Sequence, residues 1–589
     1  MKDFFKYTLA TITGIILASI IFFIILIAAL SAIVASGDKP VTVSENSVLV
    51  LNAGIMIPDR GTENPLAGLD FTDMSFNPTP GLNEILRNIR KASADSKIKG
   101  ILIENGLIPS GWATTGEIRE ALLEFRDSGK FVISYTDYLL TQQCYYLSTA
   151  ADKIYVNPDA MVEFKGLSSE VIFFKNALEK LGIEVQVTRH GKFKGAVEPF
   201  ILDKLSEENK EQIKDYTGSI WKHVIETISE ARGIPVEKLS TLADNLAGNI
   251  AASAWDNNLV DGLLFRDQMI DTLKTLAGVE KDKDLKLVSM TKYGKVHDPA
   301  TVFSTKNRIS VIYAEGNIVM DKGNETNIGG RHYAEVIRKE RLDTAVKAIV
   351  LRVNSPGGNA IASDEIWREI TLAKKTKPVV ISMGNYAASG GYYISCPATK
   401  IYASPVTISG SIGVFGLLPN AGKLMEKKLG LNTETVNTNM NSDFPSVFRP
   451  MNTYEKEVMQ LSIEKIYSEF VDKVASGREM TYTEVDNIGQ GRVWSGSGAM
   501  KIGLVDEIGG LKDAIKGAAE LASIDKYKVK ELPELEDPYT RLLTQLSGDV
   551  RMSILKKELG EAMVYYKRLI ELKELSGIQA RLPYFIDIR

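Results

Sequence analysis

KAIVLRVNSPGGNA (347–360), KPVVISMGNYAASGGYYIS (377–395) and SPVTISGSIGVFG (404–416) are three successive segments in which an apolar, β-branched run ends in a glycine-rich turn. Such runs read as buried strands of a mainly parallel sheet, because strands covered on both faces lose the polar alternation of half-exposed ones. A strand that feeds a Gly-rich turn and then a helix aims backbone N–H groups into one small volume. Ser389 stands in the second of these turns, after Ala387 and Ala388 and before Gly390 and Gly391. Small neighbours let a substrate backbone approach a hydroxyl closely, as a nucleophile requires. The plainer role for Ser389 is to cap the helix that follows. Two Gly-rich turns in register on neighbouring strands favour the nucleophile.

The same pattern occurs earlier in the chain. KGILIENG (99–106), GKFVISY (129–135), CYYLSTAADKIYVNP (144–158) and ALEKLGI (177–183) precede, in the same order, KAIVLRVN (347–354), TKPVVISM (376–383), GYYISCPATKIYASP (391–405) and MEKKLGL (425–431). The shift is about 248 residues throughout, as between Lys99 and Lys347, and so marks an internal duplication of an α/β unit. The flanks agree, SVLVLNAGIM (47–56) with ISVIYAEGNIV (309–319) and WDNNLVDGL (255–263) with MKIGLVDEIGG (500–510). Alternating strands and helices imply right-handed crossovers.

The copies differ where chemistry is expected. Opposite Ser389 the first copy has Gln142, and opposite NSPGG it has the longer NGLIPSG without paired glycines. The first copy in turn carries RHGKFKGAVEPF (189–200), where the second has the lysine-free NTNMNSDFPSVFRP (437–450). A lysine in one half and a serine in the other suggest one site assembled from both. A serine hydroxyl needs a base within hydrogen-bond reach, and a lysine serves only when burial lowers its pKa from about 10.4. Phe193, Ala196, Val197 and Phe200 offer an apolar wall. Lys192 and Lys194 lie two residues apart and point the same way in an extended segment, so the local pattern does not choose between them.

Composition narrows the function classes. A chain of 589 residues exceeds one core and implies two to four domains. The formal charge of −4 is spread along the chain and gives no nucleic-acid surface. Two cysteines, Cys144 and Cys396, make no disulfide framework, and four scattered histidines with no HExxH or CxxC spacing argue against a metal site. No cofactor is expected. Residues Thr8 to Ala35 carry no charge, enough to cross a bilayer with some tilt. Lys2 and Lys6 ahead of the run place the N-terminus in the cytoplasm and send the rest across. The competing reading is a cleaved signal peptide, for which the apolar run is unusually long.

The motifs NSPGG, AASGGYYIS, SGSIGVFG and KFKGAVEPF resemble those of the signal peptide peptidase A family in its long two-repeat form, and the likeness covers almost the whole chain after the apolar run. These are membrane-anchored serine proteases of the crotonase and Clp-protease superfamily. The resemblance implies Ser389 as nucleophile, Lys194 rather than Lys192 as general base, and Ser411 as the residue that holds the lysine. It implies an oxyanion hole at Gly358 and Gly390. It also implies cleavage of remnant signal peptides and other short apolar peptides at the outer (periplasmic) face of the cytoplasmic membrane, by a homotetramer.

The expected organisation is a cytoplasmic N-terminus and membrane anchor (1–38), two crotonase-like repeats (47–290 and 308–535) and a helical C-terminal tail (536–589). The helical pattern of the tail runs from Leu543 to Leu575 and suits packing on a neighbour or on the membrane. Three readings compete with the protease. His190 or His332 as the base would make a Ser–His pair, although no histidine follows the serine turn. A catalytically silent scaffold binding a membrane partner would not need Ser389, Lys194, Ser411 and both Gly turns together. A coenzyme A ester enzyme would use the same paired N–H groups, but its substrates are cytosolic.

Overall fold

Val346–Ser355 is a ten-residue strand, VKAIVLRVNS, with hydrogen-bonded parallel neighbours on both sides. Its apolar residues are buried, as the unbroken β-branched run requires. The computed structural model describes residues 4, 6–8, 10–21, 42–61, 69–70, 75–76, 80–106, 110–297, 305–324, 326–535 and 577–582. Around the 346–355 strand the sheet runs Glu507–Ile508, Lys400–Ala403, Val379–Ala388, Val346–Ser355, Arg308–Glu315 and Lys528–Leu532, all parallel. A short extension, Ile408–Gly410 followed by Val493–Ser495, attaches beside the end of Val379–Ala388.

The first copy repeats this order strand for strand. Its sheet runs Gly262–Leu263, Lys153–Val156, Phe131–Thr136, Ile98–Glu104, Ser47–Asn52 and Leu287–Ser289, again all parallel. The chain is thus an α/β protein of two repeats with mainly parallel sheets, as the sequence implies. Each sheet packs helices through a large apolar cluster, such as Leu122, Phe125, Tyr145 and Ile154 in the first copy and Ile349, Ile381, Tyr392 and Phe470 in the second.

Many contacts join the copies, and three stand out. The first is a shared sheet, in which Glu184–His190 runs antiparallel to Val414–Asn420 with His190 opposite Val414 and Glu184 opposite Asn420. The second is an ion cluster. Arg352, in the middle of the apolar strand and fully buried, donates to Asp59 (2.9 Å) and Glu117 (2.6 Å) of the first copy. A guanidinium without a partner there would carry a heavy desolvation cost. The third is Asn385, near the end of the strand Val379–Ala388 that leads into Ser389. Its amide oxygen accepts from the N–H groups of Ala113 and Thr114, at the start of helix Trp112–Arg126.

One expectation needs amendment. The tail is not wholly helical: Gly577–Arg581 is a strand lying between Gly357–Asn359 and Val414–Asn420, antiparallel to both. The predicted helical pattern at 543–575 lies outside the described residues. Among the described residues no helix is long and apolar enough to cross a membrane. Residues 10–21 of the expected span are helical, and 22–41 lie outside the described residues.

Candidate active site

Ser389 sits where Val379–Ala388 ends and helix Gly390–Ser395 begins. Its φ of +55° is unusual for a residue with a Cβ. Its N–H donates to Gly410 O at 2.7 Å, and its carbonyl accepts from Tyr393 N at 2.8 Å, so both sides of the turn are tied down. Ser411 has a similar left-handed backbone, φ +51°, with its N–H donating to Arg492 O at 2.7 Å. Left-handed conformations at side-chain-bearing residues survive only where surrounding bonds over-determine them, and they cluster at functional sites.

The lysine reaches this point through the shared sheet. After Glu184–His190 the chain turns at Gly191, φ +101°, and Phe193 N–H donates to Gln490 O at 2.9 Å. The segment is therefore a tight turn, not the extended stretch expected, and its two lysines separate. Lys192 is exposed with its ammonium over the Phe193 ring, whereas Lys194 is fully buried. Lys194 Nζ lies 2.8 Å from Ser389 Oγ, 3.0 Å from Ser411 Oγ and 3.2 Å from Ser411 O. Burial alone holds its amine well below the usual lysine range.

The close wall around the lysine is mostly backbone. A methyl group on Gly491 would stand 2.7 Å from Lys194 N and 2.8 Å from its Cα and Cβ, and one on Gly413 would stand 3.2 Å from its Cδ. Phe193, Ala196 and Val197 are buried as expected. Val197 and Ala196 pack with Phe415 and Leu417 of the shared sheet. The 490–492 turn and Gln212 were not singled out by the sequence pattern. Gln212 is buried on helix Glu207–Arg232, donates to Phe193 O at 2.9 Å and accepts from Val493 N at 3.0 Å, bridging the two copies beside the lysine. A polar residue on the apolar stripe of that helix was the available signal.

The remaining expectations also find places. Gly390 N begins the short helix after Ser389, and a methyl on Gly357 would stand 2.7 Å from it, so the paired-glycine turn faces the serine turn. In the first copy, Gln142 closes the equivalent position: its side-chain oxygen accepts from Lys165 N and Gly166 N, both at 2.9 Å. His190 does not pair with the serine; its Nδ1 lies 2.5 Å from Glu464 and its ring stacks on Tyr467 at 3.7 Å. His332 packs edge-on against Tyr333.

The fold and site define a two-repeat α/β protein with a buried serine–lysine contact made from both repeats. Its relatives give the particular family. The model of Peptidase family S49 matches residues 124–280 and again 371–525. The chain is 34% identical to "Protease 4" of Haemophilus influenzae over 85% of its own length and 83% of that protein. It is 34% identical to "Protease 4" of Salmonella typhi, covering 88% and 85%. To "Serine protease SPPA, chloroplastic" of Arabidopsis thaliana it is 34% identical, covering 86% and 75%. The chain belongs to peptidase family S49 and is a serine peptidase.

Proposed function

We propose that the chain is a serine endopeptidase working through a Ser389–Lys194 dyad, with residues 308–535 supplying the nucleophile and 47–290 the base. The observation that carries this reading is the 2.8 Å contact between Lys194 Nζ and Ser389 Oγ, made by a lysine buried enough to lose its proton. A neutral amine has one lone pair and two N–H groups. The lone pair accepts the Ser389 proton, while the N–H groups face Ser411 Oγ and Ser411 O. Ser389 Oγ then attacks the peptide carbonyl, and the N–H groups of Gly358 and Gly390 stabilise the oxyanion. Lys194 returns the proton to the leaving amine, and water completes hydrolysis of the ester by the same route.

In this reading the substrates are remnant signal peptides and other short apolar peptides. The apolar run 8–35 anchors the enzyme in the cytoplasmic membrane with both repeats on the outer side, as a homotetramer. The composition of that run and the lysines ahead of it support the placement.

The test uses the detergent-solubilised full chain and an apolar fluorogenic peptide from pH 6 to 10. Hydrolysis is expected to rise to a plateau as Lys194 loses its proton, below the ordinary lysine range. It is expected to vanish in Ser389→Ala and Lys194→Ala and to persist in Lys192→Ala. Hydrolysis by Ser389→Ala at the parental rate would remove the nucleophile assignment, and the absence of hydrolysis by every form would favour a silent scaffold.

A further inference from the structure

Gln490, Gly491 and Arg492 each make one main-chain bond across the site. Gln490 O accepts from Phe193 N at 2.9 Å, Gly491 N donates to Ile412 O at 2.7 Å, and Arg492 O accepts from Ser411 N at 2.7 Å. One residue of this turn thus holds the lysine segment of the first copy, and the next two hold the Ser411 segment of the second. Whatever fixes the turn also fixes the separation of Lys194 from Ser411 and Ser389.

Gln490 is the point of attachment. Its φ of +52° is left-handed, as at Ser389 and Ser411, and glycine adopts that conformation at less cost. The Gln490 side chain supplies what a glycine could not. Its amide donates to Asp486 Oδ1 at 2.5 Å and to the Tyr467 hydroxyl at 3.2 Å, and Gln490 N donates to the same hydroxyl at 3.3 Å. Tyr467 in turn donates to Asp486 Oδ1 at 2.5 Å. Its hydroxyl therefore accepts two bonds and donates one, which is its full capacity. Tyr467 is almost completely buried on helix Thr453–Arg478, with the His190 ring stacked on it at 3.7 Å. His190 Nδ1–H donates to Glu464 of the same helix at 2.5 Å. This helix consequently holds both ends of the 190–193 turn, the His190 end directly and the Phe193 end through Gln490.

Resting on the Ser389–Lys194 reading, we propose that Tyr467 and Gln490 are positioning residues for the general base. Neither touches the reacting atoms. Tyr467 and Asp486 orient the Gln490 side chain, and the Gln490 carbonyl holds the Phe193 N–H. Lys194 follows one residue later, with Nζ 2.8 Å from Ser389 Oγ. These contacts act on the lysine, so their loss falls on kcat rather than on KM.

The test uses the detergent-solubilised full chain and an apolar fluorogenic peptide. Tyr467→Phe keeps the ring beneath His190 and removes only the hydroxyl. It is expected to lower kcat about tenfold with KM within about twofold of the parent. The rise of kcat should also move to higher pH, because water that reaches a loosened lysine favours its charged form. Gln490→Gly relieves the left-handed strain yet removes the same ties, and should reproduce both effects. The double variant should be no worse than the poorer single one, since the two residues act as one unit. Tyr145→Phe is the control for lost stability: it removes a buried hydroxyl bond in the first copy, to Leu259 O at 2.9 Å, and should leave kcat unchanged. If Tyr467→Phe and Gln490→Gly match Tyr145→Phe in kcat and pH profile while Lys194→Ala is inactive, the positioning role is overturned and the dyad stands. Losses carried by KM, or losses that multiply in the double variant, also overturn it. Parental turnover by Lys194→Ala, or no hydrolysis by the parent, overturns both readings.

Discussion

Gly491→Ala keeps every reacting side chain and displaces one of them, the lysine. Gly491 has φ +81°, and its added methyl would stand 2.7–2.8 Å from Lys194 N, Cα and Cβ, where ordinary contact is 3.4–4 Å. Three close backbone and Cβ atoms cannot swing aside as a flexible side-chain end does, so the Lys194 segment must yield by roughly 0.6 Å or more. That carries Nζ from 2.8 Å to the edge of hydrogen-bond reach of Ser389 Oγ. A misplacement approaching 1 Å costs on the order of 10²-fold, so kcat on an apolar fluorogenic peptide is expected to fall by about that factor. KM should change little, since the displaced group is the general base. The left-handed backbone adds its own strain, about 1–2 kcal/mol for alanine. Gly278→Ala isolates that part, because Gly278 has φ +69° and nothing within 4 Å of the added methyl. Both variants should lose comparable thermal stability from strain, but only Gly491→Ala should lose turnover. If Gly491→Ala turns over within about threefold of Gly278→Ala, the backbone wall does not position the lysine.

Other outcomes follow from the same geometry. Lys194→Met should raise the melting temperature near pH 7: the folded state holds this lysine below its unfolded pKa and so binds fewer protons. The cost falls as pH rises towards about 10.5, where the unfolded lysine also loses its proton. The advantage should therefore shrink with rising pH in scanning calorimetry, and a pH-independent difference would show that the lysine does not titrate in this way. Ser411→Ala and Ser411→Gly both remove the hydroxyl 3.0 Å from Nζ and leave the carbonyl contact. Each should lower kcat by roughly 5- to 30-fold, equivalent to about 1–2 kcal/mol, and equal behaviour of the two would separate the lost hydrogen bond from strain at φ +51°. Arg352→Leu strands Asp59 and Glu117 in the interface and should destabilise by about 3–5 kcal/mol. Adding Asp59→Asn and Glu117→Gln should recover part of the lost melting temperature, and no recovery would mean that charge is not what the arginine balances.

Read alone, the amino-acid sequence determined the features that are local or repetitive. Apolar β-branched runs ending in Gly-rich turns marked the strands 346–355 and 379–388 and the serine turn, because strand burial and left-handed turns restrict residue types position by position. The duplication told that both halves share one topology, and the complementary loss of the serine turn and the lysine segment pointed to a composite site. The motif resemblance had named Lys194, but only the tertiary structure supplies the physical reason that this lysine turns inward. Lys192 and Lys194 have almost the same neighbours in sequence, and the choice comes from Gly191, the 490–492 turn and Gln212, some of them nearly 300 residues away. Arg352 was hidden inside an apolar run because its partners belong to the other copy. The strand at 577–581 carries no strand signal of its own beyond its length, GIQAR, and is extended because two edges with unpaired main-chain groups receive it. Pairing across such sequence distances depends on what the fold leaves unsatisfied, which no local pattern records.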